Sequence, residues 1–138
     1  MILRMESRAL TPQETSKIAW ILRVAVFGEF LGHGVFAWQL KPRFLEMLAA
    51  MTGIAGSLAN TLMKVVGAFD IFVAFLVLVK PIRVILVWGA LWGLLTAVAR
   101  PIAGDPIWDF VERWPNWGVP LALLYVRGLP KTSKEWFS

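Results

Sequence analysis

Residues 23–38 read RVAVFGEFLGHGVFAW, an apolar run with one carboxylate and the chain's single histidine at its centre. Read as helix, it puts Glu29 and His33 four residues apart on one face, and Gly28 with Gly32 on an adjoining strip of small residues where a neighbouring helix can approach. Ionisable groups inside so apolar a segment fit a helix that crosses a membrane and turns a polar spot toward other helices.

The rest of the chain agrees with lipid as the solvent. Hydrophobic residues make up 58% of the 138 and mean hydropathy is +0.66, well above the balance of a soluble domain. The apolar runs are long and do not alternate, so they predict helices and not barrel strands. The fold class expected is all-α, a single-domain integral membrane four-helix bundle over residues 1–138, with spans near 17–40, 54–79, 82–100 and 106–127. A short interfacial helix is expected after the first span, because Phe44, Met47, Leu48 and Met51 recur at helical spacing opposite Arg43 and Glu46. Thr11, Pro12 and Glu14 supply an N-cap, a first-turn proline and a capping-box acid for the first helix. A cleaved signal peptide fits poorly, since the apolar region is long and no small-residue cleavage site follows it. Asp105 and Pro106 are expected to open the fourth span, whose Pro115 and Pro120 interrupt its backbone ladder.

Cysteine is absent, which removes disulfides and thiolate metal sites; with one histidine, no complete metal shell can be built within the chain. The formal charge of +5 lies at segment ends, the pattern of the positive-inside rule and not of nucleic-acid binding. Arg4, Arg8, Lys17, Lys80, Arg83, Arg127, Lys131 and Lys134 then fall on the cytoplasmic side and Lys41, Arg43, Arg100 and Arg113 outside, with both termini cytoplasmic. The tail residues Trp136 and Phe137 would rest on the inner leaflet.

Counting about 1.5 Å per residue from the span ends brings Glu29, His33, Lys64 and Asp70 to similar depth. Isolated charges there are costly, so pairing is expected: Glu29 with Lys64, and His33 with Asp70 or Glu29. Two readings stand side by side. The pairs lock helix register only, or the four residues form a site for a proton, a quinone headgroup or a small polar ligand; a partner subunit completing the site is a third. On the second span Gly53, Gly56, Asn60, Lys64 and Gly67 form one small and polar stripe, and on the third Gly89, Gly93 and Ala97 form a small-residue face beside Trp88 and Trp92, which read as packing. The tryptophans at 20, 38, 108, 114 and 117 read as interface anchors. Arg100, Asp105, Asp109, Glu112, Arg113 and Asn116 are expected to form an outer polar network joining the third helix's end to the fourth helix's start, or else a vestibule for a charged solute.

The four short spans, the early Arg23 followed by Gly28, Gly34 and Lys41, the GAFD of the second span and the segments TAVARPIAGDP and DFVERWPNWGVPLALL together resemble DoxX-like membrane proteins of bacteria. The resemblance implies a four-helix bundle in the bacterial inner membrane, linked in some members to quinol oxidation or to assembly of larger complexes. The function expected is an accessory or assembly subunit of a quinone-linked redox complex, without catalytic residues, metal or cofactor of its own and with quinone or lipid as ligand. The alternative is a homo-oligomeric carrier or proton-conducting protein that uses the midplane cluster.

Overall fold

The computed structural model describes residues 8–138, so Arg4, counted above among the cytoplasmic charges, lies outside the described residues. Those residues form helices α1 (Pro12–Trp38), α2 (Pro42–Thr52), α3 (Gly56–Val79), α4 (Arg83–Ile102), α5 (Ile107–Val111) and α6 (Pro115–Arg127), then a 3-10 turn at Ser133–Phe137, with no strand among them. The first helix starts as its local chemistry dictates: the Glu14 amide donates to Thr11 Oγ1 at 3.2 Å and the Thr11 amide donates to Glu14 Oε2 at 2.9 Å.

Three helices, α1, α3 and α4, are long and apolar enough to cross a membrane. The expected fourth span is divided. Its chain turns through residues 112–114 between α5 and α6, because Pro115 opens a new helix at its first position and has no amide hydrogen with which to continue an old one. With 13 residues, α6 reaches about 20 Å, short of the ~30 Å of hydrocarbon. Asp105 does not cap α5 either; the cap position is Pro106, and the Asp105 carboxylate is taken by Arg43.

Glycine decides which helix faces meet. A Cβ on Gly67 would lie 2.6 Å from the Trp38 nitrogen and 2.7 Å from the Gly34 oxygen, so α1 and α3 touch backbone to backbone. A Cβ on Gly93 would lie 2.3 Å from the Asn116 carbonyl oxygen, and one on Gly89 3.4 Å from Phe30 and Pro120. The small-residue face expected on α4 is therefore the one that packs. The strip expected at Gly28 and Gly32 is not, for nothing lies within 4 Å of either position. The expected stripe on α3 also shifts: Asn60 and Lys64 are exposed, and the buried face runs through Ala59, Met63, Gly67, Asp70, Ala74 and Val77. Ala59 and Met63 gain close packing between helices without burying a polar group, whereas burying an unpartnered amide and ammonium would cost free energy.

The core has two halves. Val26, Phe30, Val73, Val77, Leu86 and Leu123 fill one, and Ala37, Phe44, Met47, Met63 and Ala99 the other. At the first end the basic residues cap open carbonyls: Arg23 donates to Val77, Leu78 and Val79 at the end of α3, and Arg83 donates to Arg127 at 2.8 Å, Gly128 at 2.7 Å and Ser138 at 3.0 Å. Such donors satisfy the carbonyls that a helix C-terminus leaves free and complement its dipole. At the opposite end Arg43 joins α2 to the α4–α5 turn. The chain has no native cysteine, so sidedness can be read from single introduced ones. Glu46→Cys and Gly104→Cys are expected to be labelled from one side of the membrane and Lys80→Cys and Lys134→Cys from the other, and labelling of positions 46 and 80 from the same side would refute the arrangement.

Candidate functional site

The polar centre is assembled from three helices. Asp70, on the buried face of α3, is 1% exposed, and its Oδ2 lies 3.1 Å from His33 Nδ1 on α1 and accepts the Trp92 indole hydrogen from α4 at 3.3 Å. The other carboxylate oxygen has no partner. The His33 ring also lies against Phe44 of α2, with centroids 4.6 Å apart. So the expected His33–Asp70 pair is present, and two further helices hold it in place.

The Glu29–Lys64 pair is not present. Glu29 borders a narrow cleft with Phe30, His33, Trp92 and Thr96, while the Lys64 ammonium is outside the bundle, 5.8 Å from the Trp38 ring centroid. The cause is the register of α3: with Gly67 seated against α1, position 64 points away from the buried face. A double-mutant cycle on Glu29→Gln and Lys64→Met is accordingly expected to give coupling within about 0.5 kcal/mol of zero. A coupling above about 1 kcal/mol would restore the pair.

Beside the centre lies a cavity of about 210 Å³. Its polar side is His33, Trp92 and Thr96, its roof is the apolar side of α2, and its walls are α3 and α4. Phe44, Met47, Leu48 and Met51, the residues that make α2 amphipathic, are the roof. Their periodicity therefore serves a cavity as well as any membrane interface. Around the mouth Met51, Leu62 and Leu95 are 37%, 36% and 45% exposed, so the opening lies on the apolar flank between α3 and α4. Glu29 borders an adjoining cleft, shared with Phe30, His33, Trp92 and Thr96, that is too narrow for water. Gly53 and Gly56, with φ of 74° and 70°, carry the chain from α2 into α3 in a conformation that glycine adopts without strain.

The outer network divides in two. Arg43, which the sequence reading did not place in it, joins Asp105 and the Ala103 carbonyl, and Arg100 approaches Asp105 at 4.0 Å. Hydrogen bonds to Glu46 and Asp105 raise the Arg43 guanidinium above its ordinary range. Separately, Arg113 pairs with Glu112 at 2.5 Å and donates to the Asp109 carbonyl at 2.9 Å. Asn116 contributes its backbone carbonyl as the surface against which Gly93 packs. The first set ties α2 to the α4–α5 turn, and the second stays within the residues between Asp109 and Arg113.

Trp92 is the member of the centre that sequence reasoning missed. Its four-residue spacing from Trp88, on which it stacks at 5.4 Å, signals packing; the direction of its N–H is set only when α4 meets α3. Among the described residues no three histidine, aspartate or glutamate side chains converge to hold a metal ion. Comparison with family models, with curated proteins and with solved structures finds no match to this chain.

Proposed function

We propose that the protein is a membrane-embedded accessory subunit that holds a lipid-soluble molecule with one polar head, of the quinol or lipid class, beneath α2. The observation that carries this reading is the combination of an apolar cavity open on an apolar flank with a fixed polar group, His33 on Asp70, in its lining. Binding sites for such molecules are mostly apolar with a few placed polar groups. At about 210 Å³ the space takes a headgroup and the first part of a chain, leaving a longer tail in the bilayer.

The reading places the chain in a bacterial inner membrane with both termini cytoplasmic, as the distribution of basic residues suggests. In it, α5 and α6 together complete a four-helix bundle with α1, α3 and α4, in line with the resemblance to DoxX-like proteins. Oxidation of a bound quinol would need a partner carrying a redox group to take its two electrons, which is what makes the chain an accessory subunit. The carrier reading has less support. Val26, Phe30, Val73, Val77, Leu86 and Leu123 close the space between the polar centre and the Lys80 end, so a proton path within one chain would cross a dry, close-packed core.

Native mass spectrometry of gently extracted protein tests the proposal. The expected spectrum contains the chain with a bound small molecule and with larger partner subunits. A bare homo-oligomer that dissipates a proton gradient in liposomes would overturn it in favour of the carrier.

A further inference from the structure

We infer that the cavity selects a lipid-soluble alcohol or phenol, whose hydroxyl donates to Nε2 of His33, over the corresponding carbonyl compound. This rests on the reading that the cavity holds a ligand, and adds which chemical class it takes.

The cavity lining has four side chains with polar atoms, His33, Thr52, Trp92 and Thr96. The Trp92 indole can only donate, and its hydrogen goes to Asp70 Oδ2 at 3.3 Å. The Thr96 hydroxyl donates to the Gly93 carbonyl at 3.2 Å, and the Thr52 hydroxyl donates to the Leu48 carbonyl at 2.7 Å while accepting from the Ile54 amide. His33 faces the same carboxylate oxygen with Nδ1 at 3.1 Å. That oxygen already accepts from the indole and, as a carboxylate oxygen, can only accept, so the imidazole turns a hydrogen to it from Nδ1; where the ring carries that one hydrogen, Nε2 keeps its lone pair. Every donor hydrogen of the lining is thus already used, and what remains toward the cavity is acceptors: Nε2, two hydroxyl oxygens and methionine sulfurs. Glu29 stands in the neighbouring cleft and not in this lining. A ligand that brings an O–H finds a partner at His33. One that brings only a carbonyl or an ether oxygen leaves that oxygen unpaired in an apolar space, which disfavours it by about tenfold or more.

The test uses the full chain in lipid nanodiscs at alkaline pH and three ligands of nearly equal size, geraniol, geranial and geranyl methyl ether, with binding followed by native mass spectrometry. Geraniol is expected to bind about tenfold more tightly than the other two. If all three bind equally, the hydroxyl inference falls and the cavity reading stands. If none binds, both fall. His33→Gln adds a readout that a packing role would not move: its amide offers the cavity both a donor and an acceptor, so this variant is expected to bind geraniol and geranial alike. Asp70→Asn, whose amide oxygen can stand in the place of Oδ2 and accept from both Nδ1 and the indole, is expected to keep the preference for geraniol. Retention of the full preference for geraniol in folded His33→Gln would overturn the assignment.

Discussion

Leucine in place of Gly93 is expected to separate α4 from α6 and to cost the bundle about 3 kcal/mol or more, the upper end of what overpacking does. The reason lies in what the new atoms meet. A Cβ there would lie 2.3 Å from the Asn116 carbonyl oxygen and 2.7 Å from its carbon; these are backbone atoms of a helix, so no rotamer change relieves the clash and the helix itself must move. Gly67→Leu is expected to do the same to α1 and α3, where the Trp38 nitrogen is 2.6 Å away. Gly28→Leu, with nothing within 4 Å, serves as the matched control and is expected to stay within about 0.5 kcal/mol of the parent. Unfolding in mixed micelles by graded addition of sodium dodecyl sulfate measures all three. Equal tolerance at positions 93 and 28 would mean that α4 does not pack on α6 through this face.

Asp70→Ala is expected to be nearly as damaging, for a different reason. It removes the acceptor for two donors at once, His33 Nδ1 and the Trp92 indole, and an unsatisfied buried polar group costs about 1–3 kcal/mol. A loss of roughly 2–4 kcal/mol follows. The double-mutant cycle with His33→Phe should show coupling of about 1 kcal/mol or more, since the two side chains are in direct contact. No coupling would mean that the pair does not hold α1 to α3.

How much of this could be read in the sequence depended on how local the physics was. The capping box from Thr11 to Glu14 spans four residues and was legible outright, as were the basic turn at 80–83 and the amphipathic α2. The glycine face of α4 was legible because small residues recurring every four positions have little other use in a lipid-facing helix. The register of α3 was not. Gly53, Gly56, Asn60, Lys64 and Gly67 line up in sequence, but α1 meets α3 at Gly34 and Gly67, and that contact turns Asp70 inward and Lys64 out. Depth along the membrane axis, which the sequence does supply, says nothing of rotation about the helix axis, and the Glu29–Lys64 pair failed on rotation. The fourth span failed on length: its hydropathy ran through Pro115, where the backbone could not. Of the site, His33 and Asp70 were legible as rare ionisable groups in apolar helices, whereas Trp92, the cavity and its roof exist only where three or four helices meet.

The central claim is that a lipid-soluble molecule sits beneath α2 with its polar head at His33. The most direct measurement is photolabelling in native membranes with an isoprenoid alcohol that carries a diazirine near its hydroxyl, followed by mapping of the modified residues. The account expects the label on the cavity lining, at Met47 and Leu48 of α2 and at Leu95 and Thr96 of α4, and expects Leu48→Trp, which fills the roof, to abolish it. Labelling spread over lipid-facing positions such as Val65 and Phe72, which are 61% and 57% exposed, and unchanged by Leu48→Trp, would contradict it.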